Sequence, residues 1–173
     1  KKVILYAPTF RDEEISSYSI KLNIEEMDRN LSGNYILLLK LHPSTTGLIQ
    51  YEQLYPNFVI DFSRYNRIND LLVITDYLIT DYSSIPFEYA LLKKPMIFYS
   101  YDLDQYRRTR GLIENYEVEV PGPIVFQTNQ VVKEILKDSY DSEKIAAFSQ
   151  RWNEYSKGDS SKRLSKYIIS GKK

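Results

Sequence analysis

Ser83 and Ser84 stand between a short apolar run, Tyr77–Thr80, and a stretch of helical period. Two hydroxyls beside the open backbone N–H groups of a helix N-terminus make a ready site for a phosphate or another anion. The same serines also serve as plain helix caps, with Pro86 in the first turn, where its missing N–H costs no hydrogen bond. Glu88 follows Ser84 by four residues, one too many for a capping box, so the two share a helix face. A carboxylate there suits a ribose hydroxyl, or is simply a solvated surface group. His42, the only histidine, closes an apolar run and precedes Pro43, which biases it to an extended conformation. An imidazole so placed is either a phosphate contact and electrostatic stabiliser or an ordinary hydrogen-bonded residue. Arg11 lies just past a further apolar run, within reach of an anion or of solvent. Arg107, Arg108 and Arg110 form a small basic cluster beside Gly111, solvated in type but able to reach a phosphorylated ligand.

Positioning such groups requires a scaffold, and the chain reads as one. Residues 3–7 are continuously apolar, as in a strand buried on both faces. Strands are predicted also at 35–41, 58–60, 77–80 and 96–99. A helix capped by Asn23 should run to Leu31 and close on Gly33. A weaker helix is expected over 46–55, and another over 66–74 packs Ile68, Leu71 and Leu72 on the sheet. Five strands alternating with helices predict an α/β fold, a Rossmann-like, doubly wound and mostly parallel sheet with right-handed crossovers. Thr9, His42, Asp61, Asp81 and Ser100 then fall just beyond strand C-termini, the edge where such sheets bind ligands. Residues 103–126 read as irregular, with Pro121-Gly122-Pro123 a rigid bend. Three closing helices follow at 129–137, 141–155 and 160–169. Val132, Ile135, Leu136, Ile145, Phe148, Trp152, Leu164 and Ile168 are expected to pack there. The whole reads as one domain over 1–173, with a core of 1–126 and closing helices in 127–173.

Composition excludes several functions. Lys plus Arg and Asp plus Glu both number 23, so nothing favours nucleic-acid binding. There are no cysteines, hence no disulfide, zinc–thiolate site or thiol nucleophile. One histidine with scattered carboxylates is no metal-ligand set. No G-x-G-x-x-G follows the first strand and no G-x-x-x-x-G-K-[ST] occurs, which disfavours NAD, FAD and P-loop chemistry. No apolar run approaches the roughly 18 residues that span a bilayer. The chain is expected to be cytoplasmic. It begins inside a strand pattern without Met, as an excised domain would. Lys157, Lys162, Arg163, Lys166, Lys172 and Lys173 make its end basic, which favours at most peripheral contact with an anionic membrane.

Several stretches together resemble the CDP-glycerol glycerophosphotransferase family, the teichoic acid primases and polymerases. They are VILYAPTFR at 3–11, LKLHP at 39–43, INDLLVITDYLITDYSS at 68–84 and KPMIFYSY at 94–101, followed by Arg110-Gly111 and Pro121-Gly122. The register holds from 3 to about 123, and the joint order is far more specific than His-Pro or Asp-Tyr-Ser-Ser alone. Leu112-Ile113-Glu114 departs from the aromatic-rich, Asp-containing pattern of the family, so no role is carried to Glu114. The resemblance implies the C-terminal, donor-binding half of a GT-B glycosyltransferase-like enzyme. The donor would be CDP-glycerol or CDP-ribitol, the acceptor a hydroxyl on a membrane-linked polyol phosphate or lipid-linked disaccharide, and CMP the leaving group. No cofactor or metal is expected. His42, Ser83 and Ser84 would hold the pyrophosphate and Glu88 the ribose. Thr9, Arg11 and Arg110 would be auxiliary donor contacts, while Asp81 and Pro43 would brace the site. The general base would lie in an N-terminal half outside this chain, so the fragment would bind donor without turning it over, at the inner face of the membrane. Two alternatives stay open: a CMP-sialic-acid-dependent sialyl- or polysialyltransferase domain, and a non-catalytic Rossmann-like binding module.

Overall fold

A computed structural model describes residues 1–11, 20–42 and 50–170. Alternate residues of the first strand, β1 (Lys2–Tyr6), serve opposite faces: Ile4 and Tyr6 enter one core, Leu5 and the following Ala7 the other. Such a strand must be covered by helices on both sides. It pairs in parallel with β2 (Tyr35–Leu39) and with β4 (Tyr77–Thr80). Beyond β2 lies β3 (Val59–Asp61); beyond β4 lie β5 (Met96–Tyr99) and β6 (Ile124–Val125). The order β3-β2-β1-β4-β5-β6 reverses direction between β1 and β4. Their C-terminal ends therefore flank the switch-point crevice of a doubly wound sheet.

One face is covered by α1 (Ile24–Leu31) and α7 (Thr128–Lys137), which bury Ile24, Met27, Leu31, Val131, Val132 and Ile135. The other is covered by α3 (Ile68–Ile74), α4 (Ile85–Tyr89) and α8 (Ser142–Trp152), through Leu71, Leu72, Tyr89, Ile145 and Phe148. Asn23 and Asp141 cap their helices as side-chain acceptors, from Glu26 N and Lys144 N.

Several expectations are corrected. Helix α1 closes at Ser32 in a right-handed turn, and Gly33 does not take the left-handed conformation. Of the helix expected over 46–55, only α2 (Tyr51–Leu54) falls among the described residues; Pro43, Lys172 and Lys173 lie outside them. Residues 103–126 are not irregular: they form α5 (Leu103–Thr109), α6 (Tyr116–Glu119) and β6. Helix α6 and β6 have four and two residues, and α5 buries only Leu103, so no apolar period stands out in any of them. Finally, Leu136, Leu164 and Ile168 are 55%, 59% and 68% exposed, whereas Trp152 packs as expected, its ring centroid 5.0 Å from that of Phe87. The last helix, α9 (Ser160–Ser170), buries none of its residues.

Candidate functional site

The turn after β4 is held by a buried charge cluster. Asp81 is 2% exposed and accepts from Thr9 N at 2.8 Å, from Tyr82 N at 2.6 Å and from Arg11 Nη2 at 2.9 Å. Arg11 is turned inward. Its Nε donates to Asp102 Oδ2 at 2.9 Å, Nη2 also reaches Asp102 Oδ1 at 3.2 Å, and Nη1 donates to Thr9 O at 2.6 Å. The guanidinium lies over Tyr106 at 4.7 Å and Tyr82 at 5.2 Å from the ring centroids, with those two rings stacked at 3.9 Å. Among the described residues four of its five N–H groups already have partners, which limits Arg11 as a phosphate contact. Two further ties come from the loop after β5 and from α6: Tyr82 OH donates to Asp102 at 3.0 Å, and Tyr116 OH donates to Asp81 O at 3.0 Å, with Ser100 Oγ 3.1 Å from the same phenol oxygen.

Burial pushes the Asp81 carboxyl above its ordinary value, while the Arg11 charge and the Thr9 amide pull it back. Burial alone would lower the Arg11 pKa, but the bond to Asp102 and the charge of Asp81 raise it instead. Burial, then the Asp102 charge, raises the Tyr82 phenol. The cluster is thus a fixed cation between two carboxylates, tying the ends of β1, β4 and β5 together.

The serines divide their work. Ser83 Oγ accepts from Ile85 N at 3.1 Å, closing a local turn. Ser84 occupies the N-cap position of α4 with its hydroxyl capping nothing, and it is exposed. Phe87 N donates to Ser84 O at 3.1 Å, and Pro86 has no N–H. The first amides of α4 are therefore not the open donors expected of that helix. The open donors lie one step earlier, at Ser83 N and Ser84 N, which have no partner among the described residues. Glu88 is exposed in the first turn of α4. The Thr9 hydroxyl is buried without a partner among the described residues.

His42 lies on the other side of β1. It is exposed past the end of β2, its ring centroid 4.4 Å from that of Phe10 and tilted 30° to it. A cleft of about 440 Å³ opens beside the serine turn, lined by Ser83, Phe87, Tyr106, Arg110, Ile113 and Phe148 among others. The basic cluster is split: Arg110 faces this cleft, whereas Arg107 pairs with Asp104 and Glu117. Among the described residues no group of three or more His, Asp or Glu stands close enough to hold a metal ion.

Sequence reasoning assigned no role to Phe10, Tyr82, Asp102, Tyr106 or Tyr116. The one available signal was the position of Asp102 just past β5, at the same edge as Asp81. The aromatic residues gave none, being few among sixteen tyrosines.

Residues 1–170 match the family described as CDP-Glycerol:Poly(glycerophosphate) glycerophosphotransferase. The chain is 42% identical over 168 residues to the teichoic acid glycerol-phosphate primase of Bacillus subtilis strain 168, spanning 97% of this chain and 43% of that protein. It is 41% identical over 172 residues to the teichoic acid poly(ribitol-phosphate) polymerase of Bacillus spizizenii strain W23, spanning 98% of this chain and 28% of that protein. A structure of the wall teichoic acid polymerase TagF, from a variant soaked with CDPG, superposes with a TM-score of 0.86 at 37% identity, over 99% of this chain and 44% of that one. The chain thus spans less than half the length of each of these relatives.

Proposed function

The chain belongs to the CDP-glycerol glycerophosphotransferase family, and from that premise we propose that it forms the donor-binding half of a GT-B-type transferase moving glycerol phosphate or ribitol phosphate from a CDP-polyol. The observation that carries this reading is the placement of His42 past β2 and Ser83–Ser84 past β4, on either side of β1 at the switch point.

The Ser83 and Ser84 amides, with the Ser84 hydroxyl, receive the pyrophosphate, and Glu88 on the next turn receives the ribose. Arg110 reaches the donor from the cleft. Arg11 and Asp81 hold the turn in place. The acceptor hydroxyl attacks the β-phosphorus: its oxygen–phosphorus bond forms, the bond to CMP breaks, and the proton passes to a base in the remaining half of the protein. His42 faces the negative charge that develops on CMP, so it stabilises the transition state more than the ground state. Positive dipole and donors at this edge take the place of a cation. The acceptor is a lipid-linked polyol phosphate at the inner membrane face. Contact with that membrane is supported by α9, where Leu164, Tyr167 and Ile168 share an exposed face opposite Lys162, Arg163 and Lys166.

Calorimetric titration with CDP-glycerol, CDP-ribitol, CMP-sialic acid and UDP-glucose tests the donor class. CDP-polyols should bind most tightly, with EDTA leaving the affinity unchanged. Tighter binding of UDP-glucose or CMP-sialic acid contradicts the assignment, and binding that EDTA abolishes and Mg²⁺ restores contradicts its metal-free part.

A further inference from the structure

The three arginines at 107, 108 and 110 point three ways. Arg107 pairs with Asp104 and Glu117. Arg110, with Tyr106 one turn before it, lines the cleft beside the serine turn. Arg108, with Gln105 one turn before it, lines a second hollow of about 380 Å³ on another side of α5. This hollow lies at the C-terminal edge of the sheet, where Tyr101 and Asp102 follow β5 and Phe126 follows β6. Strand β5 is the neighbour of β4, and paired strands stand about 4.8 Å apart. The hollow therefore opens one strand away from the Ser83–Ser84 turn.

Its charge balance sets its preference. Asp102 is paired with Arg11 at 2.9 Å, and Asp104 stands 3.8 Å from Arg107. Each carboxylate at the hollow thus has an arginine of its own. Arg108 is exposed and has no hydrogen bond or ion pair among the described residues. It leaves the hollow with a net positive charge, carried on a planar fork that matches phosphate oxygens two at a time. Phe126, half exposed, adds an apolar ring beside it, and the Gln105 amide can both donate to and accept from a hydroxyl. Phosphate, carbon chain and hydroxyl are the repeating parts of a polyol phosphate.

We propose that this hollow is an acceptor subsite, in which Arg108 grips a phosphodiester of the polyol phosphate chain while the terminal hydroxyl of that chain reaches the donor at the neighbouring turn. The inference rests on the transfer reaction proposed above and adds the place where its acceptor is held. A grip away from the reacting atoms is made equally in the ground and transition states, so it governs acceptor KM rather than kcat.

The test is turnover of the full-length protein with CDP-glycerol or CDP-ribitol and a short oligomer of the matching polyol phosphate as acceptor, with calorimetric titration of the donor on the same samples. Arg108→Gln should raise KM for the oligomer roughly tenfold to a hundredfold, the scale of a lost hydrogen bond to a charged group. Donor affinity, and kcat at saturating acceptor, should not change. Arg108→Lys should recover part of the loss, and Arg107→Gln should leave acceptor KM as it was. An unchanged acceptor KM in Arg108→Gln, an equal rise in Arg107→Gln, or a loss confined to donor affinity overturns the inference and leaves the donor-binding reading standing. So does a wild-type protein that binds CDP-polyol but does not use the oligomer. A wild-type protein that binds no CDP-polyol overturns that reading and the inference with it. If Arg108→Gln fails to fold, Arg108→Met is read by the same criteria.

Discussion

Arg11 holds two carboxylates that are otherwise cut off from water. The side chains of Arg11, Asp81 and Asp102 are only 12%, 2% and 15% exposed. Removing one partner of such a cluster leaves uncompensated buried charge, which costs more than the pair itself contributes. Arg11→Ala should therefore lower unfolding stability by about 3–5 kcal/mol, measured by denaturant titration. A loss below about 1 kcal/mol, the scale of an exposed pair, would contradict this view of the cluster. At this scale the sequence was only half legible. It exposed Ser83, Ser84 and His42 because each sits next to a turn-forming residue at a strand end. It did not show that Arg11 points inward, because its partner Asp102 lies ninety-one positions away on a different loop. Nor did it show that Ser83 closes the turn while Ser84 stays open, since either serine satisfies the same capping pattern.

Among the described strands, β6 was the one hidden in the sequence. It has two residues, Ile124 and Val125, which pair with Phe98 and Tyr99. The bend before it supplies the reason for Gly122. A Cβ there would sit 2.0 Å from Met96 O and 2.9 Å from Met96 C, backbone atoms of β5 that cannot move aside alone. Gly122→Ala should therefore pry β6 and α6 away from the sheet, at a cost of about 1–3 kcal/mol typical of overpacking. A melting curve together with amide exchange at Val125 checks this, and an unchanged melting temperature would contradict it. The longer strands and α1, α3, α7 and α8 were legible because each repeats its period over enough residues to fill a face. In α5 only Leu103 is buried, and α6 has four residues, so neither repeats an apolar period. In α9 the period was read correctly but not the surface it faces: Leu164 and Ile168 keep helical spacing yet cover nothing among the described residues.

Across the whole molecule the two cores are rich in phenols, and that sets an upper pH limit. Burial is the first cause raising Tyr77, Tyr82, Tyr89 and Tyr116 above the ordinary tyrosine value. A group whose folded pKa exceeds its unfolded one stabilises the fold below the unfolded value, about pH 10 for tyrosine, and loses that contribution as pH rises past it. Stability should thus be flat approaching pH 10 and fall above it, with phenolate absorbance rising together with loss of circular dichroism. Complete phenol titration near pH 10 in a still-folded protein would contradict this packing. The central claim is that the sheet's switch-point edge binds a CDP-polyol through the turn after β4, and Ser84 offers the cleanest access to it. Its hydroxyl is exposed and caps nothing, so a variant there separates ligand contact from folding. The deciding measurement is calorimetric titration of CDP-glycerol into the protein and its Ser84→Ala variant, with melting temperatures on the same samples. The account predicts an affinity weaker by about 1.5–3 kcal/mol, the value of a hydrogen bond to a charged group, at an unchanged melting temperature. Equal affinity in the two proteins would contradict it.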